Sequence, residues 1–150
     1  MGRRAEEYIE IIYDLSRGGE RVHVKEVAER LNVSLPSVTE MFQRLAEAGF
    51  LNYHRYYGVT LTDKGRKLAE DLEKRHQTLK EFLHLLGLEE EEADREACKI
   101  EHVVDPETVK LLTKFVEFIE MHDSPRWLAR FRKYYLSGEL ERCPKIKDGV

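Results

Sequence analysis

A chain of 150 residues, 41% hydrophobic and 36% charged, has the composition of a helix-rich globular protein with room for one domain or two small ones. No apolar run approaches the ~20 residues of a membrane span, no signal peptide opens the sequence, and two cysteines, Cys98 and Cys143, are too few for a disulfide framework, so a cytoplasmic protein with no membrane partner is expected. The net charge of -4 taken alone argues against nucleic acid, but the charge is uneven: residues 66–122 hold nine Lys/Arg against fifteen Asp/Glu, whereas residues 1–65 hold nine against ten.

The first predicted helix is "EEYIEIIYDLSRGG", with Tyr8, Ile9, Ile12, Tyr13 and Leu15 at helical spacing and Gly18-Gly19 as its stop. "VKEVAERLN" predicts a second short helix with Val24, Val27, Ala28 and Leu31 facing inward. "VSLPS" is a tight connection in which Ser34 is the expected N-cap and Pro36 falls in the first turn. The third helix runs to Gly49 and buries Val38, Met41, Phe42 and Leu45. "FLNYHRYYGVTLT" then alternates and predicts a hairpin with its tip near Arg55–Gly58. This order is the layout of a winged helix-turn-helix.

Thr62 or Asp63 caps the next helix, which continues through "KGRKLAEDLEKRHQTLKEFLHLL" to Gly87. "EEEEADREACKIEHVV" predicts a further helix, and "DPETVKLLTKFVEFIEM" another with Asp105 as N-cap and Pro106 at its first position. Val109, Leu111, Leu112, Phe115, Val116, Phe118 and Ile119 cover more than one stripe of that helix, and the surplus predicts a subunit interface. "SPRWLARFRKYYL" is a basic, aromatic last helix expected to pack Trp127, Leu128 and Phe131, before a polar tail. The predicted fold class is mainly α: a winged helix-turn-helix DNA-binding domain (1–65), a long connecting helix with a helical metal-binding and dimerisation domain (66–136), and a tail (137–150).

In the third helix, Ser37, Thr39, Glu40, Gln43 and Arg44 form the outer face, which suits phosphate and base-edge contacts in the major groove. Glu40 accepts only from cytosine N4 and would restrict sequence. Lys25, Ser34 and Pro36 flank this face, and His54 and Arg55 at the hairpin tip are candidates for phosphate or the minor groove. Lys25, Arg55, Lys64, Arg3 and Arg4 are candidates for phosphate neutralisation, a weak footprint for one subunit. Protein contacts by the winged helix, and plain solvation of the tip, are the alternatives.

In "CKIEH", Cys98, Glu101 and His102 stand at i, i+3 and i+4, one face of a helix and a metal-ligand pattern, though short polar clusters also arise by chance. His76 alone is more often a hydrogen-bonded histidine, and Glu7 with Glu10 more often a solvated face. Together the six would hold one or two divalent ions if their helices converge.

With these features in order, the chain resembles the metal-dependent repressors of the diphtheria toxin repressor and manganese transport regulator family. The resemblance covers roughly residues 5–120 and rests on "EEYIEIIYDL", "VAERLNVSLPSVTEMFQRLAEAGFL", "GVTLTDKGRKLAEDLEKRHQTLKEFL" and "REACKIEHVV". It implies a regulator rather than an enzyme, in which a divalent metal ties the first helix to the fourth and fifth and fixes the winged helix for DNA. Glu7 and Glu10 match the first-helix ligands of manganese-type members, His76 the long-helix histidine, and Cys98, Glu101 and His102 the fifth-helix triad. Cys98 is iron-like and Glu7 manganese-like. Lys80 stands where iron-type members place an ancillary acid, and Asp94 where they place a histidine, which counts against an ancillary site of that type. The expected form is the short, two-domain one.

The expected effector is Fe²⁺, with Mn²⁺ next, because the soft thiolate of Cys98 favours Fe²⁺, Co²⁺, Ni²⁺ or Zn²⁺ over harder Mn²⁺, and availability selects among them. Zn²⁺, Co²⁺ and Ni²⁺ are expected to bind in vitro, and no organic cofactor is expected. The expected partners are a palindromic double-stranded operator, controlling metal-homeostasis genes, and a second copy of the chain. The rival readings are a winged-helix regulator of a non-metal ligand, and a metalloenzyme or metal-stabilised interaction module without a DNA role.

Overall fold

The computed structural model describes residues 1–17, 19–122 and 125–140. It divides into two compact units, Met1–Arg75 with Glu101–Val103, and the remainder from His76. The first contains α1 (Arg3–Leu15), α2 (Val24–Leu31), α3 (Leu35–Glu47), the strands β1 (Leu51–His54) and β2 (Gly58–Leu61), and the start of α4 (Asp63–Leu86). The predicted winged helix-turn-helix is therefore present.

Local chemistry sets each boundary in this unit. Asn32, at φ 54°, turns the chain out of α2. The Ser34 hydroxyl accepts from the Ser37 amide at 3.3 Å and caps α3. Thr62 caps α4, its hydroxyl accepting from the Gly65 amide at 3.1 Å and donating to the Gly49 carbonyl at 2.6 Å. β1 and β2 pair antiparallel from Leu51↔Leu61 to His54↔Gly58, and Val22 joins Val59 in an isolated bridge. Gly58 has φ +87°, and a Cβ there would lie 2.6 Å from the Val22 carbonyl oxygen, so only glycine fits. Tyr8, Ile9, Ile12, Val22, Val27, Val38, Phe42, Leu45, Leu51 and Val59 share one core, with Phe42 edge-on to Tyr53 at 5.9 Å between centroids.

The second unit comprises the rest of α4, α5 (Glu90–Ile100), α6 (Pro106–Glu120) and α7 (Arg126–Ser137). Leu79, Ala93, Ala97, Val109, Val116, Ile119 and Leu128 are its buried apolar residues. The two alanines, one turn apart on α5, bury little area. Polar and aromatic contacts supplement them: the Thr78 and Thr113 hydroxyls meet at 2.9 Å, and Phe82, Phe115 and Trp127 form a ring chain from α4 through α6 to α7. Arg132 on α7 donates to the Leu85 carbonyl at 2.8 Å.

Two expectations need correction. α5 ends at Ile100, so Glu101 and His102 lie in the following turn rather than on a helical face with Cys98. Of the three α7 residues expected to pack, Leu128 is buried and Trp127, 49% exposed, meets Phe115, whereas Phe131 is 41% exposed. Asp105 occupies the N-cap position of α6 as expected, without a side-chain cap bond. Gly18, Ser124 and residues 141–150, the last holding Cys143 and most of the predicted tail, fall outside the described residues.

Candidate metal centres and DNA-reading face

Two groups of candidate ligand atoms are described, one within each unit. In the first unit, the inward packing of Tyr8, Ile9 and Ile12 fixes the rotation of α1, and Glu6 and Glu10 stand one turn apart on it. His102, from the turn after α5, has a side chain only 2% exposed and lies among three carboxylates. Its Nδ1 is 2.7 Å from Glu6 Oε2, and its Nε2 is 3.2 Å from Glu101 and 3.6 Å from Glu10. An ionised carboxylate only accepts, so Nδ1–H donates to Glu6 and Nε2 faces the other two acids. Glu10, Glu101 and His102 each offer a ligand atom, all within 4.8 Å of one another. The Glu101 side chain is buried, and a divalent ion fits a buried set of one imidazole and clustered carboxylates.

The second group lies in the second unit. His76 Nε2 donates to Asp94 Oδ1 at 2.7 Å, which turns Nδ1 toward the Cys98 sulfur at 3.7 Å. His76, Asp94 and Cys98 also place their ligand atoms within 4.8 Å of one another. Lys80, one turn along α4 from His76, has its Nζ 3.7 Å from that same Asp94 oxygen and 3.5 Å from Glu90 on α5. The hydrogen bond from His76, aided by the positive field of Lys80 and opposed by partial burial, holds the Asp94 carboxyl below the usual carboxylate range.

Within the second unit, Cys98 is grouped with His76 and Asp94, and within the first, Glu101 and His102 with Glu10. Glu7 lies in neither group: Arg3 and Arg4 hold its carboxylate at 3.1 and 3.2 Å. Two residues in the groups were not among the predicted ligands. Glu6 could have been found from its i, i+4 spacing to Glu10, and Asp94 from the same spacing to Cys98.

In α3, Ser37, Glu40, Gln43 and Arg44 are exposed and Thr39 is half-buried, while Val38, Phe42 and Leu45 anchor the opposite side. Lys25, Ser34, Pro36, His54 and Arg55 are also exposed. Arg55 sits over the Tyr56 ring at 5.3 Å and Arg21 over the Tyr57 ring at 5.9 Å, so the hairpin tip combines charge with planar surface. Lys64 donates to the Ala48 carbonyl at 3.0 Å beside the Phe50 ring, and Arg3 and Arg4 pair with Glu7 on the exposed side of α1.

A winged helix-turn-helix followed by a helical unit, with acid–histidine clusters in both, is the plan of a metal-dependent, DNA-binding transcriptional repressor. Residues 1–59 match the family described as iron dependent repressor, N-terminal DNA binding domain, and residues 62–128 its metal binding and dimerisation domain. An uncharacterized HTH-type transcriptional regulator of Methanocaldococcus jannaschii is 39% identical over 119 residues, 78% of this chain and 95% of that protein. The HTH-type transcriptional regulator MntR of Oceanobacillus iheyensis is 37% identical over 119 residues, 79% of this chain and 81% of its own. The solved structure of the manganese regulator SloR superposes with a TM-score of 0.65 at 35% identity, covering 76% of this chain and 54% of that one. This chain therefore spans about half the length of that structure. The chain belongs to the diphtheria toxin repressor and MntR family of metal-dependent transcriptional regulators.

Proposed function

We propose that DNA binding by this chain is switched on by a divalent metal, with Fe²⁺ as effector, Glu10, Glu101 and His102 as ligands in the first unit, and His76, Asp94 and Cys98 as ligands in the second. The observation that carries this reading is the Glu10–Glu101–His102 group. It brings residues 91 positions apart together within the unit that also holds α3 and the hairpin. A divalent ion bound there supplies positive charge that favours the closed arrangement of these carboxylates and so biases the unit toward its DNA-competent form. Glu6 fixes the His102 tautomer and keeps Nε2 turned toward the acids, the usual task of a carboxylate behind a ligating histidine.

Residues 1–65 would read DNA and residues 66–136 would carry dimerisation. Ser37, Thr39, Glu40, Gln43 and Arg44 would meet the major groove, flanked by Lys25, Ser34 and Pro36, with His54 and Arg55 on the backbone or minor groove. Two copies joined through α6 would set their recognition helices about one helical turn apart on a palindromic operator, roughly 34–36 Å. The exposure of Leu111, Phe118 and Met121 on and just after α6 supports that interface.

Oxygen and imidazole donors alone suit Mn²⁺ and Fe²⁺ equally, so the choice of Fe²⁺ rests on Cys98, whose thiolate is a poor match for Mn²⁺. The naming of SloR as a manganese regulator favours Mn²⁺ as the second reading. DNA retardation by anaerobic protein titrated separately with Fe²⁺ and Mn²⁺, for wild type and Cys98→Glu, tests the assignment. Wild type is expected to respond at lower Fe²⁺, and the variant to shift toward Mn²⁺. DNA affinity unaffected by either metal or by a chelator would overturn the metal switch itself.

A further inference from the structure

The His76 group has a cation against one of its ligand atoms. Lys80 Nζ lies 3.7 Å from Asp94 Oδ1, the oxygen that accepts from His76. A second acid, Glu90, holds the ammonium from one turn earlier on α5, at 3.5 Å. The Lys80 side chain is 23% exposed, so water screens it only in part. Two contacts to acids one turn apart on α5 therefore set this positive charge beside the group, rather than leaving it on a solvated stem.

We propose that Lys80 is a built-in counter-ion that competes with divalent metal for Asp94 and so raises the metal concentration at which the His76–Asp94–Cys98 group fills. This deepens the metal-switch reading above and rests on it. A metal that takes Asp94 Oδ1 must displace the ammonium from that oxygen and then share its neighbourhood with a like charge. The penalty is electrostatic and applies to every dication alike. What differs among dications is the bond to Cys98, so only an ion that bonds a thiolate well offsets the penalty at low concentration. Lys80 thus sets a threshold, and Cys98 decides which ions cross it.

The magnitude follows from the effect of such a charge on proton affinity. An opposite charge within about 4–6 Å of a carboxylate typically lowers its proton affinity by about one to three powers of ten, and the same field acts on a metal ion. Removing the ammonium should therefore tighten metal binding at this group by about tenfold or more.

The test is anaerobic titration of the full-length protein, with Cys143 replaced by Ser (Cys143→Ser) in every sample, with Co²⁺, following the thiolate-to-cobalt charge-transfer absorption, which then reports the Cys98 group. Wild type is compared with Lys80→Met, Lys80→Gln and Lys80→Arg, with Cys98→Ser as the control that abolishes the band. Met and Gln variants should half-saturate at about tenfold lower Co²⁺ or less, and the Arg variant should follow wild type because it keeps the charge. A band that appears only in the neutral variants would also support the proposal, as the extreme of the same competition. Superimposable titrations of wild type and both neutral variants would overturn the role of Lys80 and leave the site reading intact. No band in any variant at saturating Co²⁺ would overturn the His76 group as a metal site, and this proposal with it.

Discussion

The two units solve the same problem, burying enough apolar surface to hold a site, in opposite ways. The first buries Phe42, Ile9, Ile12, Val22, Val27, Val38 and Val59 almost completely, and with them the side chains of Glu101 and His102. The second relies on Ala93, Ala97 and a few aliphatic residues, leaves Leu111, Phe118 and Met121 in solvent, and carries Cys98 on its exposed side. A unit with its own core can hold a buried, charged metal group. A unit with a thin core leaves apolar surface exposed and carries its cysteine at the surface.

The sharpest way to break this contrast is to neutralise the buried acid. Glu101→Gln keeps the shape and removes the charge, and should raise the metal concentration needed for half-maximal DNA retardation about 100-fold or more, since loss of a supporting group alone costs 10–100-fold. A shift of only a few-fold would mean that the Glu101 group is structural. Next in size, Phe118→Glu puts a charge on the exposed face of α6. It should weaken self-association by about 30-fold, the effect of losing an interface anchor worth about 2 kcal/mol. Light scattering that shows a monomer for wild type with and without metal would remove the premise.

Within the first unit, Glu6→Gln should weaken metal binding about tenfold by releasing the His102 tautomer, whereas Glu7→Gln should change it little, because Glu7 is occupied by Arg3 and Arg4. Calorimetric titration of both variants with Mn²⁺ separates the two positions; equal losses would show that Glu7 also ligates. On the DNA side, Arg55→Ala should reduce the salt slope of binding by about one and weaken all sequences alike, while Glu40→Ala should alter the preferred site. The smallest effect belongs to the α3 cap: Ser34→Ala should cost about 1 kcal/mol of unfolding free energy, read by denaturant melts.

Helix spans were legible wherever period and punctuation agreed. Ser34-x-Pro36, Asp105-Pro106 and the switch to alternation after Gly49 each carry a local mechanism, and each boundary fell where that mechanism put it. The metal groups were only half legible. Spacing shows which residues share a helical face but not where a helix stops, and no Gly or Pro marks the end of α5 at Ile100. Glu101 and His102 therefore fall in a turn that has no sequence signal of its own, beyond the helix that carries Cys98. Choosing between Glu6 and Glu7 required the rotation of α1, which is set by the burial of Tyr8, Ile9 and Ile12 together. The exposure of Trp127 and Phe131 was missed because a large apolar side chain reads the same whether its partner is the same chain or another.

The Thr62 hydroxyl, shared between the Gly49 carbonyl and the Gly65 amide, has a consequence for how the family can vary in length. It clamps the two ends of the hairpin together, and the Thr62 amide adds a bond to the Phe50 carbonyl at 3.0 Å. One residue inserted between Gly49 and Leu51 would exchange the buried and exposed sides of β1 and break the clamp. Residues added between His54 and Gly58 would disturb neither. Length differences among relatives should therefore collect at the tip, where a longer or shorter reach toward DNA can be tried without touching the core.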